Sequence, residues 1–263
     1  MEKWIKMGKM LSGFIRPKTF PLAVKVIGKN EDEPKDIKQP LRDLGIKVTV
    51  CQAISMARRY GWSIHLKPQD CCCPIALLLY GWVEIEDEKE VWNLYVKSGV
   101  NKTLEASKKR LEALPRFKKG EVKGVVFSPL EWTKIQPDMV MVYCNPAQLV
   151  RFIHATLYEE GGKLTFSTVG GGGSCSEGII KTVLTQKPQI VLPGIGDRVF
   201  SMTQDDEIIF TIPAEKLEKI VEDLKIGHEK EASRYPIPQY LRFQPVFPKP
   251  YLELEEKFRL VNI

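Results

Sequence analysis

Short β-branched runs alternate along this chain with stretches whose apolar residues recur every three to four positions, a pattern that predicts an α/β protein. Residues 4–14 carry the spacing of a short amphipathic helix, and 21–27 read as a strand. Residues 31–39 form a charged, proline-containing loop. Ala53, Ile54, Met56 and Ala57 give 52–60 a helical stripe, which Gly61 ends. A short strand at 63–66 precedes a helix that Pro74 starts. An acidic connector at 84–89 leads to two helices, 90–97 and 102–114, separated by Gly99. Residues 122–128 are a strand, and 129–135 a turn or short helix.

The same grammar continues in the second half. Residues 138–143 are a strand, and Asn145 caps a helix that has Pro146 in its first turn and runs to 158. A strand at 164–169 and another at 189–192 follow, then a turn over 193–198. A strand at 207–212 and a helix at 214–224 close the regular part, and proline makes 235–250 extended chain. Both halves run helix, glycine, strand, cysteine-bearing loop, helix, once after Cys51 and once after Asn145. Residues 125–131 also echo 208–215. The expected fold is therefore mixed α/β (α+β): a mixed sheet with flanking helices, built by internal duplication of a β-α-β-loop-α unit. As a domain it spans 1–263, with halves at about 20–135 and 136–225, an N-terminal helix and an extended, proline-rich tail at about 235–263.

Composition changes this picture little. With 263 residues, 43% apolar and 27% charged, the chain can bury a large core, which argues against disorder. The net charge of +6 is a mild excess, concentrated in Lys108, Lys109 and Arg110 and in residues 116–119. These read as a solvated helix face and its exit, and with no nucleic-acid motif beside them no nucleic-acid partner is expected. No apolar run approaches the ~20 residues of a membrane span, and the first ten residues lack the apolar core of a signal peptide. A cytoplasmic location is expected, where six cysteines are free thiols or metal ligands rather than disulfides.

The chemistry gathers in two loops. Cys71, Cys72 and Cys73 end a polar loop directly before Pro74, so they sit at a helix N-terminus, where the dipole favours thiolate. Gly170, Gly171, Gly172, Gly173 and Ser174 deliver Cys175 to the start of another apolar helix. Matched contexts suggest one shared site, with Cys175 roughly 7 Å from Cys72 or Cys73, a separation one cluster bridges.

Several short motifs stand in order along the chain: Phe20-Pro21-Leu22-Ala23-Val24-Lys25, Cys51-Gln52-Ala53, Cys73-Pro74, Asn145-Pro146-Ala147-Gln148, Cys175, Gly196-Asp197-Arg198, Gln204-Asp205-Asp206-Glu207 and Arg234-Tyr235-Pro236-Ile237-Pro238. Together they resemble an uncharacterised prokaryotic family, domain of unknown function 169, over about residues 20–251. The resemblance implies no reaction. Its pattern places cysteines at Cys51, Cys73 and Cys175 and a fourth just after Pro193, where this chain has Gly194. Cys71, Cys72 and Cys144 are additions.

The resemblance implies a ligand set of Cys51, Cys73 and Cys175, with Cys72 as a further candidate. Soft thiolates select zinc, copper(I) or iron–sulfur, and three ligands with an open position make a reactive rather than a structural site. No Cys-x-x-Cys pair supports this, and buried core thiols are the competing reading. Gly171, Gly172, Gly173 and Ser174, with Arg198, are candidates for cradling an anion, although neither a Walker loop nor a dinucleotide fingerprint is present. Asp197 and Arg198 also fit a turn salt bridge. Asp205, Asp206 and Glu207 have carboxylates enough for a hard cation, or mark a hairpin turn. His65 and His154 have no nucleophile placed beside them. The expected function is a thiolate-bound metal or iron–sulfur cluster with a redox role, served by a redox partner protein. The alternative is a cofactor-free module binding a small anionic ligand. Whether the chain is an enzyme, and whether it forms a homodimer, stays open.

Overall fold

Strands whose residues are apolar on both faces need cover on both sides, and the fold follows from that requirement. The computed structural model describes residues 1–230, 234, 236 and 246–259. In chain order it contains α1 (Glu2–Ile15), β1 (Leu22–Gly28), α2 (Pro40–Leu44), α3 (Val50–Tyr60), β2 (Ile64–Leu66), α4 (Pro74–Leu79), α5 (Lys89–Lys97), α6 (Leu104–Glu112), β3 (Val122–Pro129) and β4 (Met139–Cys144). There follow α7 (Pro146–Thr156), a π-helical segment Ser174–Ile180 that runs into α8 (Lys181–Thr185), β5 (Gln189–Val191), α9 (Ile195–Ser201), β6 (Ile208–Pro213), α10 (Ala214–Glu229) and α11 (Lys249–Arg259).

The six strands form one sheet in the order β2-β3-β1-β4-β6-β5, and neighbouring strands pair antiparallel. The sheet is therefore antiparallel rather than the expected mixed one; among the described residues, parallel pairing is confined to two isolated bridges, Lys38 with Ile64 and Val48 with Cys71. Along β4, Met139, Met141 and Tyr143 face one layer while Val140, Val142 and Cys144 face the other. The first layer is made by α3, α4, the end of α6 and the π-helical segment, through Ala53, Ile54, Leu79, Leu111, Ile179 and Ile180. The second is made by α1, α7 and α10, through Leu11, Phe152, Leu217 and Val221. Phe152 stacks on Phe210 of β6 with ring centroids 4.8 Å apart. The mixed α/β class with helices flanking a sheet is thus observed, in three layers.

Local signals work where they are strongest. Thr49 and Asn145 each close a capping box, with Gln52 and Gln148 respectively, and so fix the starts of α3 and α7. Three expectations change. Residues 164–169 form no strand; the Val169 N–H and the Thr168 hydroxyl donate to the Glu177 carboxylate instead of to a neighbouring strand. The expected turn at 193–198 opens helix α9, because the Asp197 side chain accepts the Gly194 N–H at 2.9 Å and caps it. The expected extended tail lies partly outside the described residues, and over 249–259 it is helical.

Internal duplication is not established. Strand orders β2-β3-β1 and β4-β6-β5 mirror each other about the β1–β4 pair. However, α3 and α7, which follow the two central strands, pack in opposite layers. A rotation that carries β1 onto its antiparallel neighbour keeps each layer on its own side, so these helices are not counterparts.

A buried ion pair helps to join the halves. Arg58 of α3 is 0% exposed and makes a bidentate pair with Glu207, itself 5% exposed, at 2.7 and 3.0 Å. The same guanidinium lies 3.8 Å from the centroid of the Tyr143 ring on β4. Replacing Glu207 with alanine leaves a buried cation without its counter-charge, a change that costs about 3–5 kcal/mol. Urea unfolding of Glu207→Ala is expected to show that loss; a difference below about 1 kcal/mol would contradict the role assigned to the pair.

Candidate functional site

Three short connections place the cysteines. Before α3, the Val48 N–H donates to the Asp70 carbonyl at 2.8 Å and the Cys72 N–H to the Val48 carbonyl at 3.1 Å. This bridge lashes the segment leading into α3 to the triple-cysteine loop, so Cys51 in the first turn of α3 comes beside Cys73, the N-cap of α4. Along α3, residues four apart then run beside α9. The Cys51 thiol donates to the Gly196 carbonyl at 3.5 Å, the Ser55 hydroxyl to the Ser201 carbonyl at 2.8 Å, and Arg59 to the Met202 carbonyl at 2.6 Å.

The glycine loop reaches the same place by a different clamp. Asp197 accepts the backbone N–H of Ser174 at 3.2 Å and also the Ser174 hydroxyl, while it caps α9 through Gly194. A Cβ at Gly173 would lie 2.1 Å from the Asp197 carboxylate, and one at Gly172, where φ is +72°, would meet Leu114 at 2.7 Å. Only glycine allows these two approaches. Cys175 stands in the first turn of the π-helical segment, its thiol donating to the Gly172 carbonyl at 3.2 Å, while the Tyr80 hydroxyl donates to its carbonyl at 3.3 Å.

These connections surround a cavity of about 230 Å³ that Cys51, Cys73 and Cys175 share. Gly170 to Ser174, Gly194 and Asp197 line it on the polar side, and Ile75, Ala76, Tyr95, Val100, Ile195 and Phe200 give it apolar walls. Among the described residues, its one cationic lining residue is Arg110. Cys72 is exposed and does not line it; Cys71 and Cys144 are buried in the core, on opposite faces of the sheet. Among the described residues, no three His, Cys, Asp or Glu side chains stand close enough together to hold a metal ion as placed.

Electrostatics corrects the expected thiolates. Burial pushes the Cys51 thiol up to about 12, against the opposing hydrogen bond from Thr49, with Asp197 and Cys73 acting electrostatically in the same direction as burial. Burial likewise holds Cys175 well above the usual thiol range, and Asp197, Cys51 and Cys73 act in the same direction. Loss of hydration outweighs the half-charge of a helix terminus, so both thiols are neutral at physiological pH unless a cation compensates them.

Other candidates are placed elsewhere. Arg198 pairs with Asp205 at 2.8 Å rather than with Asp197, and it does not line the cavity. Asp206 pairs with Lys18 and Glu207 with Arg58, so the three carboxylates at 205–207 are each engaged by a cation rather than grouped around one site. His65 is fully buried with both ring nitrogens unpartnered, and burial lowers its pKa. Arg110, read from sequence as part of a solvated face, is instead half-buried against the glycine loop. The available signal was the inward stripe of Ser107 and Leu111 on α6, which sets Arg110 beside the core.

A family model described as "Uncharacterised ArCR", domain of unknown function 169, matches residues 10–223. An uncharacterised protein of Methanocaldococcus jannaschii is 26% identical over 218 residues, covering 82% of this chain and 91% of that protein. No solved structure matches. Among the described residues, no helix is long and apolar enough to cross a membrane.

Buried thiols make stability depend on alkaline pH. Cys51, Cys71 and Cys144 are raised from 9.0 to about 12, so between those values the unfolded chain releases protons that the folded chain retains. Their contribution is complete below about pH 9 and is lost as pH rises toward 12. Unfolding free energy is expected to fall between pH 9 and 11, and to fall less steeply in Cys144→Ser. Parallel pH profiles for the two proteins would refute the assignment for that thiol.

Proposed function

The chain belongs to the domain of unknown function 169 family, whose description assigns no activity, and we propose that it carries a thiolate-bound metal centre, an iron–sulfur cluster or a soft metal ion, on Cys51, Cys73 and Cys175. The observation that carries this reading is the sharing of one cavity by three thiols from three separate connections. The donor set fits a thiophilic centre. The burial that holds Cys51 and Cys175 as thiols also fits one, because a bound cation supplies the compensating charge on which their ionisation depends. Their spacing is not that of a ready-made chelate, so binding would draw the sulfurs inward.

Within this reading each part of the chain has a task. Cys51 and Cys73 would bind from a common scaffold, since the Val48–Cys71 bridge ties their segments together. Cys175 would bind from the opposite wall, positioned by Asp197 through Ser174. The walls formed by Ile75, Val100 and Phe200 would limit water at the thiolates. When bound, a cluster of this kind supplies one-electron transfer, or Lewis acidity at a position the protein leaves open. Gly194 leaves such a position, because it lines the cavity without a side chain.

Gly194 also provides the test. A Cβ there would meet nothing closer than 3.7 Å, and its backbone is extended, so cysteine fits without strain. Protein purified without oxygen is expected to contain iron and sulfide, or zinc, in stoichiometric amount, and to lose them in the triple variant Cys51→Ser, Cys73→Ser, Cys175→Ser. Gly194→Cys is expected to retain metal against a chelator at least about tenfold longer than the parent, as a fourth thiolate closes the site. Absence of bound metal from both the parent and Gly194→Cys after anaerobic reconstitution would sink the proposal.

A further inference from the structure

Arg110 has an incomplete set of partners in a place where a cation is costly to leave alone. Its Nε is buried and has no hydrogen-bond partner, and its guanidinium lies 6.0 Å from the centroid of the Tyr95 ring. It rests directly on the glycine loop: a Cβ at Gly170 or Gly171 would come within 3.3 Å of it. Two carboxylates belong to the same neighbourhood, and both are occupied. Glu177 accepts from the Val169 N–H at 2.8 Å and the Thr168 hydroxyl at 3.0 Å, and Asp197 accepts from the Gly194 and Ser174 N–H groups at 2.9 and 3.2 Å.

We propose that this cavity binds a small organic anion, a carboxylate on a short apolar body, and that Arg110 is the residue that recognises its charge. The guanidinium offers a planar fork of donors, the geometry that pairs with a carboxylate through two parallel hydrogen bonds. The rest of the cavity selects the body. Ile75, Ala76, Val100 and Phe200 are apolar, and the volume of about 230 Å³ admits only a small molecule. Pockets for drug-sized ligands run from ~300 to 1,000 Å³. Ile195 and Phe200, 66% and 53% exposed, stand at the rim and give the body a way in. The site goes beyond the thiol-bound centre and does not depend on it, since Arg110 and the apolar wall are in place without any metal.

Butanoate is a suitable probe, with butanamide as its uncharged isostere, on the full chain as purified. Butanoate is expected to bind saturably by calorimetry and to raise Tm, while butanamide does neither. Arg110→Gln is expected to bind butanoate at least about tenfold more weakly, the loss of a charged hydrogen-bonding partner. Arg110→Lys should retain part of the affinity, because the charge stays and the fork is lost. A second measurement needs no variant: butanoate should slow phenylglyoxal modification of Arg110, read by peptide mass spectrometry, and butanamide should not. Equal binding of the two probes, undiminished binding by Arg110→Gln, or no protection of Arg110 would overturn the proposal. Metal analysis of the same preparation separates the two readings. Metal-free protein that binds butanoate through Arg110 refutes only the thiol-bound centre, and metal-loaded protein indifferent to butanoate refutes only this one.

Discussion

The buried pair between Arg58 and Glu207 is the constraint on which the rest of the arrangement hangs. A guanidinium with no exposure cannot tolerate a vacant counter-charge, so α3 is held at one distance from the segment entering β6. The Tyr143 ring beneath the same guanidinium adds β4 to that contact. With the far end of α3 fixed in this way, the stripe of Cys51, Ser55 and Arg59 has one place to lie, along α9. The cavity is therefore defined from behind, by an interaction that contributes no atom to its wall.

A second layer of control is the contest between burial and the helix termini. Cys51 and Cys175 both stand in first turns, where amide dipoles would lower a thiol pKa, and both are nonetheless raised, because desolvating a thiolate costs more than half a charge returns. Asp197 reinforces the outcome. Its carboxylate is committed to the amides of Gly194 and Ser174, so it presents negative charge to the cavity. The result is a pocket in which Cys51 and Cys175 are held as thiols and the positive charge sits on Arg110, against Gly170 and Gly171.

Much of the fold could be read in the residue order. The strands at 21–27, 122–128, 138–143 and 207–212 announced themselves because β-branched and apolar residues fill both faces of buried strands, and Asn145 marked the start of α7, whereas Thr49 caps an α3 that starts two residues ahead of the expected 52. The convergence of Cys73 with Cys175 on one cavity was also anticipated, although by way of a duplication that the opposed α3 and α7 do not support. What could not be read depends on distant partners. Residues 164–169 have strand-like composition, yet Glu177 takes their hydrogen bonds. The 193–198 turn becomes a helix because Asp197 caps it while clamping a loop 23 residues earlier. Arg198 and Arg110 exchanged expected roles for the same reason: Asp205 claims the first, and the packing of α6 turns the second inward.

The segment Ser174–Ile180 is wound with bonds five residues apart, as between the Gly178 N–H and the Gly173 carbonyl, rather than four. Such winding holds one residue more than an α-helix needs for the same span. Cys175 lies at the end where the surplus meets the glycines. Its position is therefore set by the winding of a single turn, while Ile179 and Ile180 sit in the core. The two walls of the cavity are thus placed by different means, the one carrying Cys175 by backbone winding and the one carrying Cys51 and Cys73 by the bridge between Val48 and Cys71.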